Sequence, residues 1–252
     1  MKKFVPVIQR TFEDKYRGLL RRPFAHRGVH SEYPENSLPA FAKAVELNLG
    51  IELDVHLTTD NKVVVFHDDN IKRMTGENVY IKLSSYDELQ KYKLNGTNYT
   101  IPLLSEVLSL VSGKVPILIE LKTNNNMKKL VAELKKLLSN YKGEIFIQSF
   151  DPFALNKCYK KMPQYLRGQL SSFFAKDRVS LLKKVSIKKL LFKKISHIDF
   201  VSYNLENLPN KYVNKTNMPV LAWTIRTEED YKKAKETANN MIVDNVDVLK
   251  NK

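Results

Sequence analysis

The chain has 252 residues and a formal net charge of +15 at pH 7, from 42 Lys and Arg against 27 Asp and Glu. This length suits one large domain or two small ones, and 43% hydrophobic residues are enough for a sizeable core. No apolar run reaches the roughly 18 residues of a membrane span, and charges interrupt the opening MKKFVPVIQRTFEDKYRG before a signal-peptide core forms. We therefore expect an intracellular, cytoplasmic protein with no membrane-spanning helix.

The cysteine content and the positive charge limit the kinds of site and partner that this protein can have. The single cysteine, Cys158, excludes an internal disulfide and a zinc site built from cysteines. The charge comes mainly from lysines spread along the chain, which favours anionic partners of some kind. Because no zinc finger, aromatic RNA-binding motif or arginine-rich recognition segment accompanies them, the sequence predicts no specific nucleic-acid partner.

Short apolar segments recur along the chain and predict strands. In order they are RPFAHRG, GIELDVHL, VPILIELK, EIFIQSF, YLRGQL, HIDFVSYN, MPVLAWTI and NNMIVDNV. Stretches between them, such as NSLPAFAKAVELN and NMKKLVAELKKLLSNY, carry apolar residues three or four apart, as helices do. Eight strands alternating with helices predict a closed parallel (β/α)8 barrel, the TIM barrel. An open doubly wound sheet is the alternative, but the chain has only 8 glycines and no GxGxxG motif.

The interval between the second and third predicted strands is longer than the others. It contains TTDNKVVVFHDD, which predicts a hairpin with its turn at Thr59, Asp60 and Asn61. It ends at LLSEVLSLV, which predicts the second barrel helix. We therefore expect a small insertion at residues 58–102, after the second strand, within a single domain over residues 1–252.

A basic segment covers residues 178–200, RVSLLKKVSIKKLLFKKISHIDF, and carries three lysine pairs among apolar residues. It predicts a long basic helix, and an outer helix of the barrel is the favoured interpretation. The alternative is a helix lying on an anionic membrane surface, which would give weak peripheral membrane contact and access to lipid substrates.

Acidic residues occupy alternating positions of the second predicted strand, GIELDVHL. Because successive strand side chains point to opposite faces, Glu52, Asp54 and His56 share one face and the apolar residues share the other. The apolar face must pack against helices, so the acids point into the barrel. The same alternation in VPILIELK turns Glu120 and Lys122 inward.

The three inward carboxylates of Glu52, Asp54 and Glu120 form an all-oxygen set suited to a hard divalent cation such as Mg²⁺ or Ca²⁺. An ionised carboxylate inside a protein needs such a cation, an ion pair or hydrogen bonds. The alternative is therefore a structural ion-pair network with Lys122 or Arg27.

Two histidines follow apolar runs at predicted strand ends, His26 in AHRG and His67 in VVVFHDD. Taken singly, each fits a hydrogen-bonded packing residue. Next to a cation site they are candidates for acid and base, because an imidazole titrates near neutral pH.

The stretch HRGVHSEYPENSLPAFAKAVELNLGIELDVHLTTDNKVVVFHDDNIKRMTG closely resembles the opening signature of the glycerophosphodiester phosphodiesterase family. The resemblance continues through IPLLSEVL, IELK, IQSFD, LAWTI and MIVDNV, from Phe24 to Val246. It implies a (β/α)8 barrel with a small insertion after the second strand. It also implies metal-dependent hydrolysis of glycerophosphodiesters, such as glycerophosphocholine or glycerophosphoethanolamine, to sn-glycerol 3-phosphate and an alcohol.

The resemblance implies roles for individual residues by their position in the family's motifs. It implies that Glu52, Asp54 and Glu120 are metal ligands and that His26 and His67 are the acid and base pair. It implies that Arg27 and Lys122 bind the phosphate and that Trp223 is an aromatic residue at the mouth. Glu35 and Asn36 match the family's PEN element near the metal.

Two features depart from a simple transfer of the family's site. Alternation places Arg27 opposite His26, so both reach the site only if the strand ends there and the chain turns at Gly28. The ending MIVDNVDVL has Asp244 and Asn245 where relatives commonly carry a threonine-aspartate-proline-like ending, so substrate contacts there are not carried over. The remaining histidines, assigned to structure, are His30, His56 and His197. Further candidates for lining the pocket are Gln148, Tyr203 and Asn204.

Other functions on the same barrel stay open. One is lysophospholipase D-like or phospholipase C-like cleavage of membrane lipids. A less favoured one is a non-enzymatic barrel that binds a phosphate ligand, against which the intact acids and histidines argue.

Overall fold

The structure, a computed structural model, describes residues 12–123, 126–173 and 181–250. Its strands are β1 (Phe24–His26), β2 (Gly50–Leu57), β3 (Val63–Val65), β4 (Ile117–Leu121), β5 (Ile145–Ser149), β6 (Leu166–Ser171), β7 (Phe200–Asn204), β8 (Val220–Ile225) and β9 (Asn240–Val243). Its α-helices are α1 (Phe12–Leu20), α2 (Leu38–Glu46), α3 (Lys72–Thr75), α4 (Tyr86–Leu89), α5 (Leu104–Val111), α6 (Met127–Leu138), α7 (Pro152–Lys161), α8 (Leu181–Lys188), α9 (Lys193–Ser196), α10 (Lys211–Asn214) and α11 (Glu228–Thr237). Short 3-10 helices lie at Ile81–Leu83, Leu94–Gly96, Leu205–Asn207 and Val246–Leu249.

The strands form a closed parallel barrel with helices between them. The order around it is β1-β9-β8-β7-β6-β5-β4-β2, and β1 also pairs with β2, which closes the sheet. Each of the apolar segments expected to be a barrel strand contains one. The predicted (β/α)8 fold is therefore confirmed, because each strand buries one face against the helices and the other inside the barrel.

The long connection from β2 to α5 begins with the expected hairpin. β3 runs antiparallel to β2, with Val55 opposite Val65, and Asn61 in the turn has a left-handed φ of 64°. The following short helices bury an apolar cluster of their own, separate from the main core. Its buried members are Val64, Phe66, Ile71, Met74, Ile81, Leu89, Leu94 and Ile101. The limits 58–102 for an inserted unit stay a prediction.

The basic segment differs from the expected single long helix. Residues 178–180 lie outside the described residues, and from residue 181 the chain forms two helices, α8 and α9. The break follows from Leu190, which has a left-handed φ of 53° and buries its side chain. The prediction of one long helix is therefore wrong over this part. No helix in the described ranges is both long and apolar enough to cross a bilayer.

The barrel interior is apolar at its N-terminal end. Helix α1 closes this end, with Tyr16 and Leu19 packed against the inward-facing strand residues. Those residues are Phe24, Leu118, Phe146, Phe200, Leu221 and Ile242. Burying a leucine-sized side chain contributes about 1.5–3 kcal/mol, so this floor stabilises the closed barrel. Inward-facing polar residues are left for the opposite end.

Gly168→Ala is expected to lower the free energy of unfolding by about 1–3 kcal/mol, the usual cost of overpacking a core. Gly168 of β6 is in register with Phe200 of β7, and a Cβ atom at position 168 would overlap the Phe200 ring. Urea denaturation measures the change. The double variant Gly168→Ala/Phe200→Leu should recover part of the loss, since the smaller side chain removes the overlap. An unchanged midpoint in Gly168→Ala would contradict this packing.

Candidate active site

Polar side chains surround a cavity of about 170 Å³ at the C-terminal ends of the barrel strands. The lining residues are His26, Arg27, Glu52, His67, Glu120, Lys122, Gln148, Phe150, Leu170, Trp223, Thr224, Arg226 and Ile242. Three predicted site residues, Asp54, Glu35 and Asn36, are not among them but contact others of the set. The structure thus brings together all the residues that the sequence motifs select.

The end of β1 places two consecutive residues at the cavity. β1 ends at His26, Arg27 has a left-handed φ of 55°, and Gly28 follows with φ 79°. The strand therefore stops and the chain turns where the sequence required it to, so both His26 and Arg27 reach the cavity. A side chain at residue 28 would also overlap Ala40 of α2, which explains the glycine.

The acidic cluster is built by the register of β2 and β4. Asp54 pairs directly with Glu120, and Glu52 lies two residues before Asp54 on the same face of β2. One carboxylate oxygen from each of the three residues lies within 4.8 Å of the others. All three are buried, with at most 8% exposure. Burial and the nearby charges of Asp54 and Glu120 raise the pKa of Glu52 well above its usual value.

Lys122 and Arg27 neutralise part of this negative charge. Lys122 Nζ lies 2.9 Å from Asp54 Oδ1 and 2.7 Å from Glu120 Oε1. Burial would raise the pKa of Asp54, but the charges of Lys122, His67 and Arg27 outweigh it and hold that pKa low. The ion pairs that were the alternative to a metal site are therefore present for two of the three acids.

Within the part of the chain that the structure describes, Glu52 has neutral hydrogen-bond donors and no ion-pair partner. The backbone N–H of Arg27 donates to its Oε2 at 3.2 Å, and Gln148 Nε2 donates to its Oε1 at 3.0 Å. Three clustered carboxylates against two cations leave negative charge over, and all the donor atoms are oxygens. The residues present therefore fit a hard divalent cation.

The PEN element supports this cluster. Asn36 donates from Nδ2 to Asp54 Oδ2 at 2.8 Å and has a left-handed φ of 55°. Glu35 accepts hydrogen bonds from Arg27 at 2.9 Å and from Arg73 at 2.6 Å. Glu35 therefore holds the Arg27 guanidinium in place, and Asn36 orients Asp54.

Each candidate acid–base histidine is held by a carboxylate through Nδ1. His26 Nδ1 lies 2.6 Å from Asp244 Oδ1, and His67 Nδ1 lies 2.5 Å from Asp68 Oδ1. Within the described parts of the chain, Nε2 of neither ring forms a hydrogen bond. Burial lowers the pKa of both histidines, and the charge of Arg27 lowers that of His26 further against the opposing effect of Asp244.

Sequence reasoning missed three residues at this site: Asp244, His30 and Arg226. Both imidazoles, His26 and His30, lie within hydrogen-bond distance of Asp244 Oδ1, and Arg226 donates to its Oδ2. His30 is thus part of the site's surroundings, although the sequence assigned it to structure alone. The position of Asp244 directly after an apolar strand was the available signal.

Of the other residues expected to line the pocket, some do so and others do not. Gln148 lines the cavity as expected. Tyr203 does not line it, because its hydroxyl donates to the Lys188 carbonyl, and Asn204 instead accepts from the Glu206 N–H as a helix cap. Trp223 lines the cavity beside Phe150, with ring centroids 5.8 Å apart.

The histidines outside the cavity are engaged elsewhere. Nε2 of the buried His56 lies 3.2 Å from the His67 carbonyl oxygen. His197 stacks on Tyr159 with ring centroids 3.8 Å apart.

Comparison with known proteins identifies the family. A model of the glycerophosphoryl diester phosphodiesterase family matches residues 26–248. A lysophospholipase D of Rattus norvegicus is 35% identical over 183 residues, covering 67% of this chain and 56% of that protein. A glycerophosphodiester phosphodiesterase of Bacillus altitudinis is 34% identical over 152 residues, covering 56% of this chain and 62% of that protein. The chain therefore spans little more than half the length of these relatives.

Solved structures share the fold. A phosphodiesterase of Oleispira antarctica, in complex with the product sn-glycerol-3-phosphate, superposes with a TM-score of 0.77 at 23% identity, covering 91% of this chain and 95% of that one. A glycerophosphodiester phosphodiesterase of Thermotoga maritima gives a TM-score of 0.71 at 26% identity, covering 90% and 96%. With the family match over most of its length, this chain belongs to the glycerophosphoryl diester phosphodiesterase family.

Proposed function

We propose that this protein is a metal-dependent phosphodiesterase that hydrolyses glycerophosphodiesters to sn-glycerol 3-phosphate and an alcohol. Glycerophosphocholine and glycerophosphoethanolamine are the substrates expected from the family. The observation that carries the proposal is the arrangement around one cavity of a three-carboxylate cluster, two cations and two carboxylate-held histidines. The product-bound Oleispira phosphodiesterase, which has the same fold, supports the reaction class.

The acidic cluster would hold the cation through Glu52, Asp54 and Glu120, with Mg²⁺ or Ca²⁺ as the ion that suits these oxygens. When bound, such an ion supplies positive charge that stabilises the phosphate oxygens as charge develops on them. Gln148 and Asn36 keep two of the carboxylates oriented by donating hydrogen bonds to them.

Arg27 and Lys122 would bind the phosphate. The Arg27 Nε atom is buried and has no hydrogen-bond partner among the described residues, although it lies 3.5 Å from Asp54 Oδ2. A phosphate oxygen would supply the missing acceptor. Lys122 has three N–H donors, and two of them face carboxylates, so one is left for the substrate. Both cations interact more strongly as charge develops in the transition state.

The two histidines would move the protons. One takes a proton from the nucleophile, either water or a neighbouring glycerol hydroxyl, and the other gives one to the leaving alkoxide. Trp223 would pack against the glycerol or alcohol group, and its buried Nε1 donor has no partner within the described residues.

The test is a direct assay of glycerol 3-phosphate released from glycerophosphocholine and glycerophosphoethanolamine by the full chain. We expect release that EDTA abolishes and that Mg²⁺ or Ca²⁺ restores. The double variant His26→Ala/His67→Ala, purified in the same way, controls for contaminating hydrolases. No release with either ion would contradict the proposal.

A second candidate function is lysophospholipase D-like cleavage at a membrane surface. The rat relative carries that name, and three apolar side chains are exposed on α7 and around α9: Phe153 at 51%, Leu191 at 60% and Ile195 at 45%. Lysine is the only charged residue type in α7, in α8, in α9 and in the turn between α8 and α9. Such a surface favours contact with anionic lipid.

Sedimentation with liposomes separates this candidate from the first. Membrane docking predicts binding to vesicles with anionic lipid that weakens at high salt, together with choline release from lysophosphatidylcholine. The variant Leu191→Ser should bind less, whereas Leu83→Ser, at an exposed leucine in the β2–α5 connection, should not change binding. Absent or salt-insensitive binding would eliminate membrane docking and leave the soluble diesters as substrates.

A further inference from the structure

Asp244 connects the last strand of the barrel with the first, because its carboxylate contacts His26, which is 218 residues away in sequence. It directly follows β9, and its Oδ1 lies 2.6 Å from His26 Nδ1 at the end of β1. We propose that Asp244 is a positioning residue that keeps a proton on His26 Nδ1, so that His26 exchanges protons with the substrate only at Nε2. This inference rests on the proposed acid–base role of His26.

The chemistry of the two partners determines the tautomer. An ionised carboxylate only accepts hydrogen bonds, so the ring nitrogen that faces it must carry a proton. Although burial raises the pKa of Asp244, the hydrogen bonds from His26 and His30 outweigh it and hold that pKa below its usual value. Nε2 of the neutral His26 ring then has the free lone pair, and Nε2 of the charged ring has the transferable proton.

The position of the cavity agrees with this division of the ring. His26 lines the cavity, whereas Asp244 and His30 are not among its lining residues. The Nδ1 side of His26 therefore faces the supporting carboxylate, and the Nε2 side is left for the substrate. Because Asp244 is not among the lining residues, we expect it to affect proton transfer through His26 and not through substrate contact.

Two further donors hold Asp244 in place. His30 Nε2 lies 2.9 Å from the same Oδ1, and Arg226 Nε donates to Oδ2 at 3.1 Å. The His30 side chain is 25% exposed and the Arg226 side chain 61% exposed, so His30 is the more buried of these two anchors. His30, which the sequence analysis assigned to structure, is in this arrangement an anchor of the carboxylate.

Nitrogen NMR tests the tautomer without reference to activity. In protein labelled with ¹⁵N-histidine, long-range proton–nitrogen spectra distinguish a ring protonated at Nδ1 from one protonated at Nε2. We expect the neutral His26 ring to be protonated at Nδ1. In Asp244→Asn the amide group can donate to Nδ1, so we expect the ring to change to the Nε2-protonated form. Assignment of the His26 signal comes from its loss in His26→Ala.

Steady-state kinetics tests how the His26 tautomer affects turnover. Asp244→Asn should lower kcat by about 10²- to 10⁴-fold, as expected when a catalytic histidine takes the wrong tautomer. KM should stay within about threefold of wild type, because Asp244 does not line the cavity. His30→Gln, which can retain the donor to Asp244, should lower kcat far less than His30→Ala.

Matched controls use the same substitutions nearby. Asp247→Asn changes an exposed carboxylate on the same C-terminal segment, where it pairs with Lys250, and should leave kcat and the His26 signal unchanged. His197→Gln is the corresponding control for His30→Gln. Circular dichroism of each variant shows whether the fold is retained.

Failure of the positioning role and failure of the proposed function give different results. A wild-type His26 ring protonated at Nε2, or an Asp244→Asn enzyme with unchanged kcat, would overturn the positioning role. A wild-type protein that cleaves no glycerophosphodiester contradicts the proposed function instead, and the NMR result then still decides whether Asp244 fixes the His26 ring.

Discussion

Alanine in place of His67 should lower kcat by about two to four orders of magnitude, and alanine in place of His26 should have an effect of the same size. Both rings line the cavity, and each is fixed through Nδ1 by a carboxylate. In the proposed mechanism one ring accepts a proton during attack while the other donates one to the leaving group. Losing either imidazole therefore removes half of the proton transfer. Steady-state release of glycerol 3-phosphate measures the change.

The control for these variants is His197→Ala, because His197 is exposed and stacks on Tyr159 outside the cavity. It should keep wild-type turnover. Far-UV circular dichroism and thermal melting should show that both catalytic-site variants are folded. Wild-type turnover by either His26→Ala or His67→Ala would remove that residue from the acid–base pair.

Glu52→Gln should have opposite effects on metal affinity and on the stability of the metal-free protein. Among the described residues, the hydrogen-bond donors to the carboxylate of Glu52 are all neutral. Removing its charge should raise the metal concentration for half-maximal activity by at least about tenfold, because the charge of the ligands sets the affinity for such ions. The metal-free variant should melt at a higher temperature than wild type, since burial and like charges raise the pKa of Glu52 and its ionised form destabilises the folded state.

Two measurements check this pair of effects. Metal titration of activity gives the first, and thermal melting in excess EDTA at neutral pH gives the second. Glu46→Gln, at an exposed glutamate that pairs with Lys43 on α2, should change neither. An unchanged metal midpoint in Glu52→Gln would show that Glu52 is not a ligand, whatever happens to the melting temperature.

The fold and the acidic cluster were predictable because they follow from local periodicity. The two-residue repeat of strands turned Glu52 and Asp54 to the same face, and the alternation of strands and helices predicted the barrel. The β2–β4 register then brought Glu120 beside Asp54. Such inferences use only residues that are close in sequence, together with the rule that neighbouring parallel strands pair.

The network around Asp244 was not predictable in the same way. It depends on barrel closure, which places the residue after β9 next to the end of β1. Periodicity does not report which loop side chains meet across that junction. The break between α8 and α9 was missed for a similar reason, because a left-handed backbone at Leu190 has no signature such as glycine or asparagine.

The volume of the cavity has a consequence for selectivity among headgroups. At about 170 Å³ it lies below the roughly 300–1,000 Å³ of pockets that enclose a whole drug-sized ligand. In the proposed reaction a diester would place its phosphorus and a few adjoining atoms inside, and the rest of the molecule would lie outside the cavity. Discrimination between alcohols would then depend on residues around the part of the substrate outside the cavity, so exchanging Trp223 should change the headgroup preference more than kcat, whereas Arg226 also holds Asp244 and should affect both.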